Sequence, residues 1–396
     1  MALHDDNDDP IHRNREKHHM NKKVAVAIAC LVASYGAQAQ SSVTLFGVLD
    51  EGINYTGNAG GHAAWQQTSV DLATSRWGIK GNEDLGGGLH AIFDLESGFQ
   101  LDNGRIYYGD RLFGYQSYAG LQSERFGTLT FGRQFDTVAD VLAPLTANGS
   151  WAGYLFSHPF DNDNTDASFH VDNAVKFTST SVAGLTATAL YGFSNQAGGF
   201  AQNRAIGVGL GYTYRTLTLG AVYEDLGAPG TTAGGSVATG DMVFAAANQK
   251  IYGIGANYGI GPATLGLVYT HVMVQRPTES VYVGALGVPV ATLRFDNLEA
   301  NAKVQVRPDL FVGAMYTYSR AHLDTGGGAS LHWNQLGLMA QYALSKRTGL
   351  YSQVAYQTVG GGGTGTPLEN AYVLGSAGAS SNGHQVVARV GITHSF

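Results

Sequence analysis

The stretch that decides the fold is 298–306, Leu298-Glu299-Ala300-Asn301-Ala302-Lys303-Val304-Gln305-Val306. Its odd positions carry Glu, Asn, Lys and Gln, and its even positions carry only apolar side chains. Strict alternation marks an extended strand with two chemically opposed faces. The same pattern recurs at 204–214, where Ile206, Val208, Leu210, Tyr212 and Tyr214 oppose Gly207, Gly209, Gly211 and Thr213. It returns at the C-terminus, where Val386, Ala388, Val390, Ile392 and Phe396 oppose Val387, Arg389, Gly391, Thr393 and Ser395. A soluble sandwich also alternates, so the polar face must discriminate. Lys, Glu, Arg, Asn and Gln are costly inside a packed core without partners, whereas a water-filled lumen solvates them. The expectation is a closed all-β barrel with an apolar exterior and a wet interior.

Working outward, about sixteen such segments can be counted between Val43 and Phe396. They open near Val43, Trp65, Leu89, Arg111, Gly127, Asn173, Gly184 and Arg204, then near Leu217, Lys250, Pro262, Thr292, Leu310, Leu331, Thr348 and Gln385. An even number of this size fits an antiparallel single-chain membrane barrel. Tyrosines near segment ends (Tyr55, Tyr191, Tyr214, Tyr223, Tyr258, Tyr318, Tyr342, Tyr356) suit an interfacial girdle. Gly-, Thr- and Ser-rich stretches at 226–249, 276–291 and 360–383 read as extracellular loops. One connection differs. Residues 134–170 contain Val138, Leu142, Leu145, Trp151, Tyr154, Leu155 and Phe156, too apolar for a solvated loop. A long apolar loop must pack on something, and in a wide barrel the available surface is the inner wall.

The chain ends set the compartment. Residues 20–40 join a basic start (Lys22, Lys23), a ten-residue apolar run from Val24 to Ala33, and the small-x-small signal Ala37-Gln38-Ala39. A spanning helix needs about 20 apolar residues, so this is a cleavable signal peptide. Residues 1–19 are read as an extension ahead of a true start at Met20. The expected domains are therefore 1–39, signal peptide with its extension, and 40–396, the barrel. The excluded segment holds five basic and five acidic residues, so the remainder keeps the net charge of −7, which disfavours a nucleic-acid partner. The single cysteine, Cys30, falls in the signal peptide, so disulfide and thiol chemistry are excluded from the barrel. No hydrolase, zinc-protease or P-loop pattern appears, and no cofactor is expected. The glycines of 207–211 alternate along a strand and do not open a helix, so they form no dinucleotide site. Asp161, Asp163, Thr165 and Asp172 have a calcium-loop rhythm, but Asp166 stands where glycine is needed. An outer-membrane protease or phospholipase would need a catalytic cluster at the rim, and none is visible. An adhesin would make the loops, not the lumen, the working surface.

Several motifs, in order, carry a family resemblance. They are Ser41-Ser42-Val43-Thr44-Leu45-Phe46-Gly47, Ser75-Arg76-Trp77-Gly78-Ile79-Lys80-Gly81 with Glu83-Asp84-Leu85-Gly86, Phe131-Gly132-Arg133-Gln134-Phe135-Asp136, Asp161-Asn162-Asp163-Asn164-Thr165-Asp166, and the terminal Phe396. The chain over 40–396 resembles the trimeric general porins of Gram-negative bacteria, in the β-proteobacterial branch. The resemblance implies a 16-stranded antiparallel transmembrane β-barrel, a homotrimer in outer-membrane lipid and lipopolysaccharide, and a third loop folded into each pore. It implies passive diffusion of small polar solutes and ions, and an insertion signal at Phe396 read by the barrel-insertion machinery. It also implies a constriction in which basic wall residues face acids of the loop. Arg76 and Lys80 share one strand face and supply the basic side with Arg133, although alternation with Leu129 and Phe131 turns Arg133 outward unless a bulge intervenes. Asp136, Asp140, Asp161 and Asp163 are the acidic candidates. Where the family commonly has arginine, this chain has Tyr115 and His170, so the expected charge preference is weak.

Overall fold

The computed structural model describes residues 42–396; the expected signal peptide and the Met20 start lie outside them. Sixteen antiparallel strands form one closed sheet. β1 is Ser42–Ala59, and β2 is a strand in two pieces, His62–Ser69 and Arg76–Gly86. There follow β3 (Leu89–Gly98), β4 (Gln116–Ser123), β5 (Gly127–Gln134), β6 (Val171–Ser179), β7 (Leu185–Gly192) and β8 (Ala205–Tyr214). The second half is β9 (Leu217–Gly227), β10 (Asn248–Ile260), β11 (Ala263–Gln275), β12 (Thr292–Arg307), β13 (Leu310–Asp324), β14 (Ala329–Ala343), β15 (Thr348–Gly362) and β16 (His384–Ser395). Pairing of β1 with β16, from Val48 opposite Ser395 to Thr56 opposite Val387, closes the ring. Closure is what the bilayer demands, because an open edge would leave backbone groups unsatisfied in hydrocarbon.

The faces fall as the alternation predicts. Leu298 and Val306 of β12, Val208 and Leu210 of β8, and Val390 of β16 are exposed on the outside. Glu299 and Asn301 point inward and are buried. The outward apolar run from Leu298 to Val306 covers nine residues, about the length a tilted strand needs to cross the hydrocarbon layer. Fourteen of the sixteen segments begin within two residues of their expected starts, and the second begins three residues early, at His62 rather than Trp65. The fourth does not: Arg111 lies in the loop before β4, where it serves an ion-pair cluster instead.

The split in β2 could not be read from the sequence. Residues 70–75 leave the ladder and lean into the lumen, with Val70 at φ +72°. Ser75 repairs the gap: its hydroxyl accepts from the Asp50 amide at 2.9 Å and donates to the Asp50 carbonyl at 2.9 Å.

The apolar loop 135–170 does fold into the lumen. Short helical turns cover Val138–Leu142, Ala143–Leu145, Asn148–Ala152, Tyr154–Phe156 and Pro159–Asp161. Val138, Leu142, Leu145, Leu155 and Phe156 are buried. What receives them is a row of lumen-facing glycines. A Cβ on Gly253 would meet Leu142, one on Gly220 would meet Leu145, one on Gly313 would meet Trp151 and one on Gly337 would meet Phe156, all closer than 3.0 Å. The wall is thus scooped where the loop is bulky. The long loops at 228–247, 276–291 and 363–383 are not simple solvated tethers either. Phe244–Ala245, Glu279–Ser280 and Gly284–Ala285 make a small sheet, and Val237, Phe244, Leu286 and Leu368 are buried with the third loop's core.

Filling one scoop tests this docking. Gly337→Leu should dislodge Phe156 and loosen the loop, giving a larger and noisier single-channel conductance than the wild type. An unchanged, quiet conductance would show that the glycine row does not hold the loop.

Candidate functional site

The inward-leaning segment 70–76 meets the loop at 148–167 inside the barrel. The two are stapled where the Tyr154 amide donates to the Asp71 carbonyl at 2.7 Å. Gly153, at φ +68°, permits that approach, since a Cβ there would sit 2.2 Å from the Asp71 carbonyl oxygen. Three cavities adjoin one another here. An outer one touches Tyr107, Tyr108, Tyr282 and Asp241. The middle one, about 310 Å³, is lined by Thr74, Arg76, Tyr115, Tyr154 and Asp166. The inner one reaches Lys303, Phe311 and Gln341. The cavities adjoin, sharing Tyr154 and Asp166 between the first two and Asn148 and Gly153 between the last two.

Arg76 and Lys80 share the lumen wall as expected. Arg76 is not a free charge: its Nε donates to Glu96 Oε2 at 2.6 Å, and its guanidinium lies 4.5 Å from the Tyr115 ring centroid. Lys80 is exposed and stands 4.8 Å over the Phe46 ring. Arg133 is turned inward by a register shift between Gly132 and Gln134, the bulge that its parity required. Its partners are not the loop aspartates. It reaches Asp172 at 2.7 Å and Asp241 at 2.8 Å, and Arg111 joins the same two carboxylates.

The acidic candidates divide. Asp140 is partly exposed and pairs with Lys176 at 2.5 Å. Asp136, Asp161 and Asp163 are fully buried and do not face the pore. The reason is local: each carboxylate satisfies groups that the loop's tight turns leave unpaired. Asp136 accepts from the Ala139 amide and from Asn164, both at 2.7 Å. Its burial pushes the carboxyl up to about 6. Asp161 accepts from the amides of Asp166 and Ser168, and burial beside Asp163 pushes it to about 7. Asp163 meets His158 Nδ1 at 2.6 Å, while His158 Nε2 faces Glu299 at 3.1 Å. Burial opposes the imidazolium, but the two carboxylates outweigh it and raise His158 to about 10.

The acid that does line the passage is Asp166, held well above the usual carboxylate range by burial and by Asp161 and Asp71. Its place in the quoted 161–166 motif was the available signal. Lys303, visible on the polar face of the opening stretch, is the other residue that sequence reasoning left unassigned. It lies 4.3 Å over the Phe311 ring, and no carboxylate pairs with it among the described residues. Asp241 arrives from a loop 108 residues beyond Arg133, and no local pattern pointed to it.

Tyr115 and His170 sit together in an aromatic knot. The His170 ring packs 4.9 Å from Tyr108, 4.7 Å from Phe135 and 5.4 Å from Tyr115. Tyr115 borders the passage, but His170 is wholly buried with both ring nitrogens unpartnered. Burial, with Arg133, Arg111 and Lys176 nearby, pushes it well below the usual imidazole range, so it is neutral. No group of three or more His, Cys, Asp or Glu among the described residues is arranged to hold a metal ion.

The profile of the Gram-negative porin family matches residues 25–362. An outer membrane porin protein of Bordetella pertussis is 32% identical over 379 residues, covering 85% of this chain and 94% of its own length. Outer membrane porin protein 32 of Delftia acidovorans is 29% identical, covering 95% of this chain and 100% of its own. Among solved structures, an anion-selective porin from Comamonas acidovorans superposes with a TM-score of 0.68 at 23% identity, over 90% of this chain and 100% of the other. These relatives are outer-membrane porins, channels and not enzymes. The chain belongs to the Gram-negative porin family.

His158 gives a pH test. A group raised from an ordinary value near 6.5 to about 10 contributes stability fully at low pH and loses it as pH climbs through the raised value. Loop anchoring should therefore weaken as pH rises through 9 to 11, seen as increased current noise, and His158→Gln should abolish that dependence. A pH-independent wild type would rule out a protonated His158 as anchor.

Proposed function

We propose that the protein is a passive diffusion channel for small hydrophilic solutes and ions, with a weak preference for anions. The observation behind it is the series of adjoining cavities past segment 70–76, around which most fixed charges are already paired. Arg76 is matched by Glu96, and Arg133 and Arg111 by Asp172 and Asp241. Burial, with Asp161 and Asp71 nearby, raises the Asp166 carboxyl well above its ordinary value and so weakens its acidity. That leaves two wall cations outside any ion pair among the described residues, Lys303 and Lys80, the latter standing opposite Asp94 on the neighbouring strand. Confined charge with low-dielectric walls biases ion traffic, and two cations bias it modestly. Arg76, Lys80, Arg133 and Tyr115 are the wall side of this site. Asp140 is tied to Lys176 of β6, and Asp136, Asp161, Asp163 and His170 shape the loop from within.

The working form we propose is a homotrimer in the outer membrane, in keeping with a Vibrio cholerae outer membrane protein described in trimer form that shares the fold at a TM-score of 0.63. Phe396 supports the proposed insertion signal: its backbone pairs with Gly47 in both directions, so the terminal aromatic is locked to the first strand.

Reversal potentials across a salt gradient test the selectivity. Purified protein in a planar bilayer should show ohmic steps with a mild anion bias. Lys303→Glu should move the reversal potential towards cations, and Tyr115→Arg should move it towards anions. A strongly selective wild type, or no response to either change, would refute the assignment.

A further inference from the structure

The outer cavity, about 210 Å³, is walled by tyrosines that neither the lipid girdle nor the charge pairs use. Tyr107 and Tyr108 come from the loop after β3, Tyr154 from the inward loop, and Tyr282 from the loop after β11. Three segments distant in sequence thus converge on one space. Tyr107 stands 4.6 Å from Tyr108, edge to face, and Tyr108 stands 5.8 Å from Tyr115, which lines the middle cavity. None of these tyrosines is fully buried. The backbone is strained to present this wall: Val70, Tyr108 and Ala167, all lining the cavity, lie at φ +72°, +60° and +57°. Left-handed backbone is unusual outside glycine and rarest for a β-branched or bulky residue. Such strain persists only where the surroundings enforce it, and it gathers at binding sites.

The polar groups among the rings are mostly hydroxyls. The Tyr282 hydroxyl meets that of Ser168 at 2.5 Å, and the Tyr108 hydroxyl meets that of Thr74 at 3.4 Å. Asp166 lies where the outer and middle cavities adjoin, and its carboxyl has no hydrogen bond or ion pair among the described residues. Asp241 is already tied to Arg111 and Arg133. A cation in this space would meet Arg111, whose Nη1 lies beside Gly109 at the cavity edge. An anion would meet Asp166. A neutral, hydroxyl-rich ring meets no such penalty. The C–H bonds on a pyranose face carry partial positive charge and lie well against the negative face of an aromatic ring. Its hydroxyls donate to a carboxylate and exchange hydrogen bonds with tyrosine and serine.

We infer that this cavity is a saturable binding site for neutral pyranose sugars at the outer mouth of the channel. Tyr107 and Tyr282 supply the rings, and Asp166 accepts sugar hydroxyls at the step into the middle cavity. Holding sugar there raises its local concentration at the entrance, so flux rises when external supply is low. The inference rests on the channel reading above, and the experiment separates the two.

The test records current through the full protein in a planar bilayer while maltose is titrated. Ohmic conductance before any sugar is added checks the channel reading by itself. Maltose should then lower the current to a plateau. Tyr107→Ala should raise the half-blocking concentration about 10-fold, as loss of one aromatic contact predicts. The Tyr107 hydroxyl makes no hydrogen bond among the described residues, so its removal strands no polar group. Tyr282→Phe, which keeps the ring and drops the hydroxyl, should raise that concentration by a smaller factor. Choline and a polyethylene glycol of the same mass as maltose should give no plateau. Steady conductance without saturable block would overturn the sugar site and leave the channel standing. Block unchanged in both variants would overturn its place in this cavity. Equal block by choline would overturn the ligand class, and equal block by the polymer would reduce the effect to excluded volume and overturn binding.

Discussion

The constriction depends on one contact: apolar side chains of a loop pressed against a wall from which side chains have been removed. A β-barrel of sixteen strands is wide enough to leave an aqueous channel. The loop narrows it only because Leu142, Leu145, Trp151 and Phe156 find glycines on the facing strands. Burying such side chains stabilises by about 1.5–3 kcal/mol each, so four of them suffice to hold a loop against solvent. The polar anchors, His158 with Asp163 and Glu299, then fix where along the wall it lies. Apolar contact supplies the hold, and hydrogen bonding supplies the register.

This division explains why the aspartates serve different ends. A loop built from five short helical turns leaves many amides without partners, and Asp136 and Asp161 are spent on them. Asp163 neutralises an imidazolium. The passage is left with Asp166, whose own acidity is weakened by that company. On the wall, paired arginines replace free ones, and Tyr115 occupies a position through which a cation could have reached the solute. The electrostatics of the channel therefore emerge from competition: the loop's folding claims the charges first.

Much of this was legible in the sequence. Alternation gave the strand faces because a two-residue period leaves no freedom once one side meets lipid. The inward loop was legible from its surplus of apolar residues, and the inward turn of Arg133 from the conflict between its parity and its family position. The split of β2 was not legible. Thr68 through Arg76 carries no proline and no clear break in polarity, and the excursion is stabilised by distant groups, Asp50 and Tyr154. The burial of Asp136, Asp161, Asp163 and His170 was equally hidden, since a polar residue in a loop announces chemistry and not direction. Asp241 reaches its partners through tertiary folding alone.

The split also bears on the order of assembly. Asp71, carried inward by the excursion, receives Arg389 of the final strand at 2.6 Å, and Asn54 of the first strand at 2.9 Å. Arg389 further contacts Asp50 and the Tyr351 hydroxyl. These groups meet only after β16 has paired with β1. The segment that narrows the pore is thus fastened by the same knot that seals the cylinder. A nascent barrel with its seam still open lacks a finished eyelet, so the selective channel and the closed wall arrive in a single event.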